Sequence, residues 1–172
     1  MCARLTNGLA VCSRLTRDVR SQAVTHKRRL AIQDDDGEHI MAVYVEPDAN
    51  GFEGATLDGL QALLMSNLRG TSFKGASLYW ANLGGSDFSG CNFEGANLAG
   101  ATLRDTKLVG ANFRNAHLGL DNLGGSAKLQ GADLTDAILE GANLKGAEYD
   151  ASTKFPRGFS PDRAGMVDPD AT

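Results

Sequence analysis

The side chains with which this chain could do chemistry are few and scattered. Cys2, Cys12 and Cys91 are its three cysteines, His26, His39 and His117 its three histidines, and Asp34-Asp35-Asp36-Gly37 its one run of three adjacent carboxylates. Neither a disulfide framework nor zinc-ligand spacing emerges from them. The three aspartates lack the alternating ligands and the distal glutamate of a calcium loop, so they read as a solvated turn. No Ser-His-Asp order with a nucleophile-elbow sequence, no HExxH and no phosphate loop of the Walker type is present. The expectation is a protein that is not an enzyme, with no catalytic, cofactor-binding or metal-binding residues.

The elements that would have to position such residues are set by a period of five. Leu68, Phe73, Leu78, Leu83, Phe88, Phe93, Leu98, Leu103, Leu108, Phe113, Leu118 and Leu123 recur every fifth position, mostly with a small residue two places before each. The series resumes one residue late at Leu129, Leu134, Leu139, Leu144 and Tyr149. Upstream, Phe52 and Leu57 fit after a second one-residue offset, with Leu63 bridging to Leu68, which makes twenty repeats. Period five suits neither a helix of 3.6 residues per turn nor an uninterrupted strand of period two. The central residue and the small residue two before it can both point inward, while the other three positions face water and turn a corner. Gly at the fifth position, as in Gly70, Gly90 and Gly110, fits a bend with permissive backbone angles. Cys91 falls in one of the small inward slots and reads as a packed hydrophobe.

The units Ala96-Asn97-Leu98-Ala99-Gly100, Ala111-Asn112-Phe113-Arg114-Asn115, Ala132-Asp133-Leu134-Thr135-Asp136 and Ala142-Asn143-Leu144-Lys145-Gly146 resemble the A(D/N)LXX consensus of the pentapeptide-repeat family. The resemblance covers roughly residues 50–151. It implies an all-β fold, a right-handed quadrilateral β-helix with four repeats per coil and about five coils. Phe73, Phe93 and Phe113 lie twenty apart, which supports that coil length independently, and Phe52 joins them after the offset. At the spacing of neighbouring strands such a rod is roughly 24 Å long. The expected core has Phe52, Phe73, Phe93 and Phe113 stacked on one inner side, and Leu78, Leu98, Leu118 and Leu139 on another.

Solenoid ends need covering, because each coil buries its apolar face only against its neighbours. After Tyr149, the segment from Thr153 to Pro161 looks like the closing segment of many bacterial members of the family, with Phe155 and Phe159 expected to plug the last coil. Before the repeats, residues 30–48 read as a hairpin cap. Its strands are Leu30–Gln33 and His39–Val45 around the Asp-Gly turn, and Met41, Val43 and Val45 would cover the first coil. Residues 152–172 form the C-terminal cap and tail, and residues 1–29 a basic, disordered tail.

Formal charge is −4, with 42% hydrophobic residues and no apolar run long enough to cross a membrane. The distribution is uneven. Residues 1–29 hold seven of the seventeen basic side chains against Asp18, leaving ten basic and twenty acidic groups in the remainder. Such a start suits a cytoplasmic chain with a bland tail, an organelle transit peptide, or an extension ahead of a true start near Val24.

Function then rests on surface. On the side carrying Leu78, Leu98, Leu118 and Leu139, the outer positions include Tyr79, Trp80, His117, Leu120 and Ile138, with charge only at Asp58 and Glu140. These five residues are the candidate protein-interaction patch, for an unidentified protein or for a second copy in a homo-oligomer. The bland alternative has Trp80 fold over Gly100 and merely cover backbone. The leading expectation is a rigid scaffold for protein–protein contacts. Some family members resemble duplex DNA in shape and charge, bind DNA gyrase and protect it from quinolones or toxins. That alternative needs a continuous acidic surface, and residues 50–151 dilute eleven acidic groups with seven basic ones. A secreted effector or organelle-lumen protein is the third reading. The mild acidity argues against direct nucleic-acid binding.

Overall fold

One rule of local geometry repeats along the rod. The residue before each centre bridges to the next coil, the centre points inward, and the following two residues turn the corner. Around Phe73, its amide donates to the Asn92 carbonyl at 2.7 Å, Gly75 donates to Glu94 at 2.8 Å, and the Asn92 amide returns a bond to Thr71 at 3.1 Å. Ala76 closes the corner by donating to the Phe73 carbonyl at 3.0 Å. With φ of 64° at Gly75, that corner has the hydrogen bond and the positive angle of a type II turn. The backbone groups that face the next coil are therefore paired without a continuous strand.

The computed structural model describes the strands β1 (Cys2–Arg4), β2 (Ala10–Arg14), β3 (Arg28–Gln33) and β4 (His39–Val45) as backbone, and residues 51–60 and 67–171 in full. Parallel bridges pair Asn67 with Asp87, Ser72 with Asn92, Ser77 with Asn97 and Asn82 with Thr102. Four sides thus pass in twenty residues, which is a quadrilateral β-helix.

Phe52, Phe73, Phe93 and Phe113 stack on the first side, with centroids 5.1, 5.0 and 4.9 Å apart and planes within 16°. Phe88 meets Phe73 and Phe93 edge-on from another side. Leu57, Leu78, Leu98 and Leu118 are buried on the second side, and Ala76, Ala96 and Ala116 fill the inward slots between sides. Burying each such Leu or Phe stabilises the fold by about 1.5–3 kcal/mol, so the inner columns are the core.

The largest break in the twenty-residue spacing of the bridges follows Leu118. Thr102 pairs with Lys128, Lys107 with Asp133, Asn112 with Ile138 and His117 with Asn143, all 26 residues on. Ala127, rather than the third residue after Leu118, donates to the Leu118 carbonyl at 2.8 Å. Six residues are therefore looped out, and Leu123, expected as a repeat centre, is 82% exposed. The expected one-residue slip is a six-residue excursion. It also moves Leu139 from the side of Leu118 to that of Phe113, since Phe113 donates to the Ile138 carbonyl, and Leu144 takes its place after Leu118.

At the N-terminus, β1, β2, β3 and β4 form one antiparallel sheet in that order. Leu30 faces Val43 and Arg28 faces Val45 across β3 and β4, with a register shift at Ile32/Gln33. β1 and β2 lie within the segment expected to be a disordered tail. Ala10, Val11 and Cys12 give β2 an apolar run, with Val11 β-branched, that the basic count of that segment obscures. The Asp34–Gly37 turn, Val24 and the bridging centre Leu63 lie outside the described residues, as do the side chains of Met41, Val43 and Val45.

Beyond the repeats the ladder continues further than the sequence suggests. Lys154 bridges to Asp133 and Val167 to Glu148, and Met166 is buried. Phe155 and Phe159 stack at 5.2 Å and pack, partly buried, on the core, with Tyr149 edge-on to Phe155.

Candidate interaction face

Trp80 occupies the corner position that glycine fills in most repeats. Its φ is 55°, in the left-handed region, where a bulky residue is strained by about 1–2 kcal/mol. Two things hold it there. A Cβ on Gly100, the corner one coil on, would lie 2.7 Å from the indole Cε2 and Nε1, and one on Gly125 would lie 2.5 Å from Cζ2. The ring thus lies against two side-chain-free stretches of backbone, as in the bland alternative of a covering residue, while 47% of the residue remains exposed.

Asp121 clasps the looped-out segment to that ring. Its Oδ2 accepts from the Tyr79 hydroxyl at 2.5 Å and from Trp80 Nε1 at 3.2 Å. Its Oδ1 accepts from the amides of Leu123 at 2.8 Å and Gly125 at 2.7 Å. The Tyr79 bond above all, with the backbone donors, holds the Asp121 carboxyl down at about 2, and the same bond raises the Tyr79 phenol. On the other flank, Asp58 Oδ1 accepts from Ser77 Oγ at 2.5 Å and from the Tyr79 amide at 3.1 Å.

The five expected patch residues are divided by this arrangement. Tyr79 and Trp80 meet edge to face at 6.3 Å and share Asp121. Leu120 opens the loop, is 47% exposed, and covers the corner glycine Gly146, whose Cβ would lie 2.6 Å from the leucine Cγ. His117 belongs to the bridging ladder between Asn97 and Asn143, half-buried, with its Nδ1 buried and unpartnered. Ile138 bridges to Asn112 on the neighbouring phenylalanine side, so it is not on the side of Tyr79 and Trp80. Its displacement follows from the six-residue excursion.

Asp121 and Leu123 are absent from the sequence-based patch. A signal existed: the residue two before Leu123 is the charged Asp121, not the small residue an inward slot needs. The covering of corner glycines is also systematic. Asp105 reaches Gly131 and Asn115 reaches Gly141 in the same way, each from a left-handed backbone. A non-glycine corner followed one coil later by glycine marks these pairs in sequence.

The Cys91 thiol is buried, donates to the Leu68 carbonyl at 2.9 Å, and is pushed up to about 12 by burial. Such a thiol is not a nucleophile at neutral pH. Among the described residues no group of His, Cys, Asp and Glu is arranged to hold a metal ion.

The sequence matches the family model for pentapeptide repeats, in eight copies, over residues 63–90, 81–119 and 126–148. The match leaves out 120–125, where the chain departs from the coil. Among solved structures, a pentapeptide repeat protein from Nostoc is 32% identical, over 68% of this chain and 83% of that chain, with a TM-score of 0.43. HetL, a pentapeptide repeat protein involved in heterocyst differentiation regulation in Nostoc, is 26% identical over 67% of this chain, with a TM-score of 0.37. This chain spans 56% of the length of HetL. A plasmid-mediated fluoroquinolone resistance protein is 19% identical over 66% of this chain and 65% of that chain, with a TM-score of 0.26. Among curated proteins none matches.

Proposed function

Because the chain belongs to the pentapeptide-repeat family, whose coils form a filled rod and not a container, we propose that it is a non-enzymatic scaffold that binds a protein partner through the face built around Trp80. The observation that carries this reading is the state of Trp80. A strained, half-exposed tryptophan is locked in place by Gly100, Gly125 and Asp121. Leu120 and Leu123 stand exposed in the adjoining loop. Rigid aromatic and aliphatic side chains lose little entropy when a partner covers them, and tryptophan and tyrosine concentrate binding energy at interfaces.

The DNA-mimic reading draws less support. Asp87 pairs with Arg69 at 3.2 Å, Glu94 with Lys74 at 3.1 Å, Glu140 with Arg114 at 3.2 Å and Asp133 with Lys154 at 2.9 Å. Each pair joins successive coils and neutralises an acid that a phosphate-like surface would leave bare.

Affinity capture with the intact chain, beside a Trp80→Ser/Leu123→Ser variant of unchanged circular dichroism, tests the proposal. A protein retained by the first and lost by the second is the expected result. Identical retention by both would remove this face from consideration. A supercoiling assay with DNA gyrase, with and without quinolone, examines the other reading, and no protection is expected.

A further inference from the structure

Trp80 is held in a way that an ordinary exposed tryptophan is not. Its ring is backed by Gly100, its edge abuts Gly125, and its N–H donates to a carboxylate. Such a hydrogen bond polarises the indole and enriches the electron density of its π face, which attracts cations. Two carboxylates flank the Tyr79–Trp80 pair, Asp121 through the side chains and Asp58 through the Tyr79 amide. Neither forms an ion pair among the described residues, although four acids elsewhere on the rod each have a basic partner. The face therefore combines exposed aromatic surface with two uncompensated negative charges.

Resting on the reading of this face as a protein-interaction surface, we propose that it selects a cationic anchor: an arginine on an extended segment of the partner, its guanidinium over the open side of Trp80 and close to Asp58 and Asp121. Charge complementarity carries the choice of a cation. Arginine is preferred to lysine because its planar, weakly hydrated guanidinium stacks on indole while its edge donates to carboxylates. Asp121 is already saturated by four donors, so it acts as a fixed charge beside the ring and not as a mobile partner. Leu120 and Leu123 would contact apolar neighbours of that arginine.

Trp80 is the only tryptophan in the chain, so its fluorescence reports this site alone. The full chain is titrated at constant ionic strength with acetyl-Leu-Arg-Leu-amide and with the same peptide carrying citrulline, which keeps the shape of arginine and removes its charge. A saturable change is expected for the arginine peptide, with affinity about tenfold lower for citrulline. The Asp58→Asn variant, which retains an oxygen for the Tyr79 amide, should bind the arginine peptide several-fold more weakly while its melting temperature stays unchanged. Equal affinity for the two peptides would overturn the cationic anchor and leave the interaction face intact. The absence of saturable binding by either peptide would overturn the anchor as well, and the capture experiment with Trp80→Ser/Leu123→Ser then judges the face on its own.

Discussion

The indole of Trp80 fills the space that a side chain on Gly100 would occupy. The relation is directional, from one corner to the corner one coil later, and Leu120 stands in the same relation to Gly146. Both glycines also have positive φ, 72° and 79°.

Gly100→Ala should therefore be costlier than the same change at Gly90. The two corners share a positive φ, but a Cβ on Gly90 meets nothing within 4 Å. At Gly90 only backbone strain is added, about 1 kcal/mol. At Gly100 the indole must also move, adding about 1–3 kcal/mol of overpacking. Thermal melts of the two variants should differ by several degrees in that order, and equal melting temperatures would contradict the contact.

Phe93→Ala should remove about 3–5 kcal/mol, because the ring is fully buried between Phe73 and Phe113. Phe159→Ala should cost clearly less, since that ring is only partly buried at the end of the rod. Urea denaturation followed by circular dichroism gives both values, and an inverted order would refute the assignment of the core.

Much of this core could be read from the chain itself. The recurrence of Phe73, Phe93 and Phe113 at twenty residues is plain in the sequence, and the same rings stack about 5 Å apart. What could not be read by phase was the excursion after Leu118. An offset of one and an insertion of six differ by one whole repeat, so Leu129, Leu134 and Leu139 fall in step either way. Burial and bridge pairing distinguish them, with Leu123 in water and Ile138 beside Asn112. The clasp escaped notice for a related reason. Asp121 has no local motif, and its partners Tyr79 and Trp80 lie more than forty positions earlier.

Asp121→Asn should change two titrations. The Tyr79 phenol, raised first of all by the bond to Asp121, should return towards its ordinary value, visible in the ultraviolet absorbance of tyrosinate. In the native chain the Asp121 carboxyl is held down at about 2, against about 3.9 in an unfolded chain. A depressed carboxyl contributes stability that is complete above the unfolded value and is lost as pH falls through the folded one. Acid melts between about pH 4 and pH 2 should therefore be shallower for Asp121→Asn. Asp150, also held at about 2, chiefly by Ser152, keeps part of the slope in both proteins.

Cys91 should resist alkylation in the native protein at mildly alkaline pH and react once denaturant is added. Its thiol is buried, bonded to the Leu68 carbonyl and pushed up to about 12. Mass mapping of the labelled peptide checks this, and rapid native labelling of Cys91 would mean that the coil opens at that point.

A rod of equal coils has near-translational symmetry along its axis. A partner gripping only the repeated ladder could slide by one rung, about 4.8 Å, and meet almost the same groups again. The segment that leaves the coil after Leu118 breaks that symmetry. It gives the surface an origin, so that a partner touching Trp80 and Leu123 together has one register and no other.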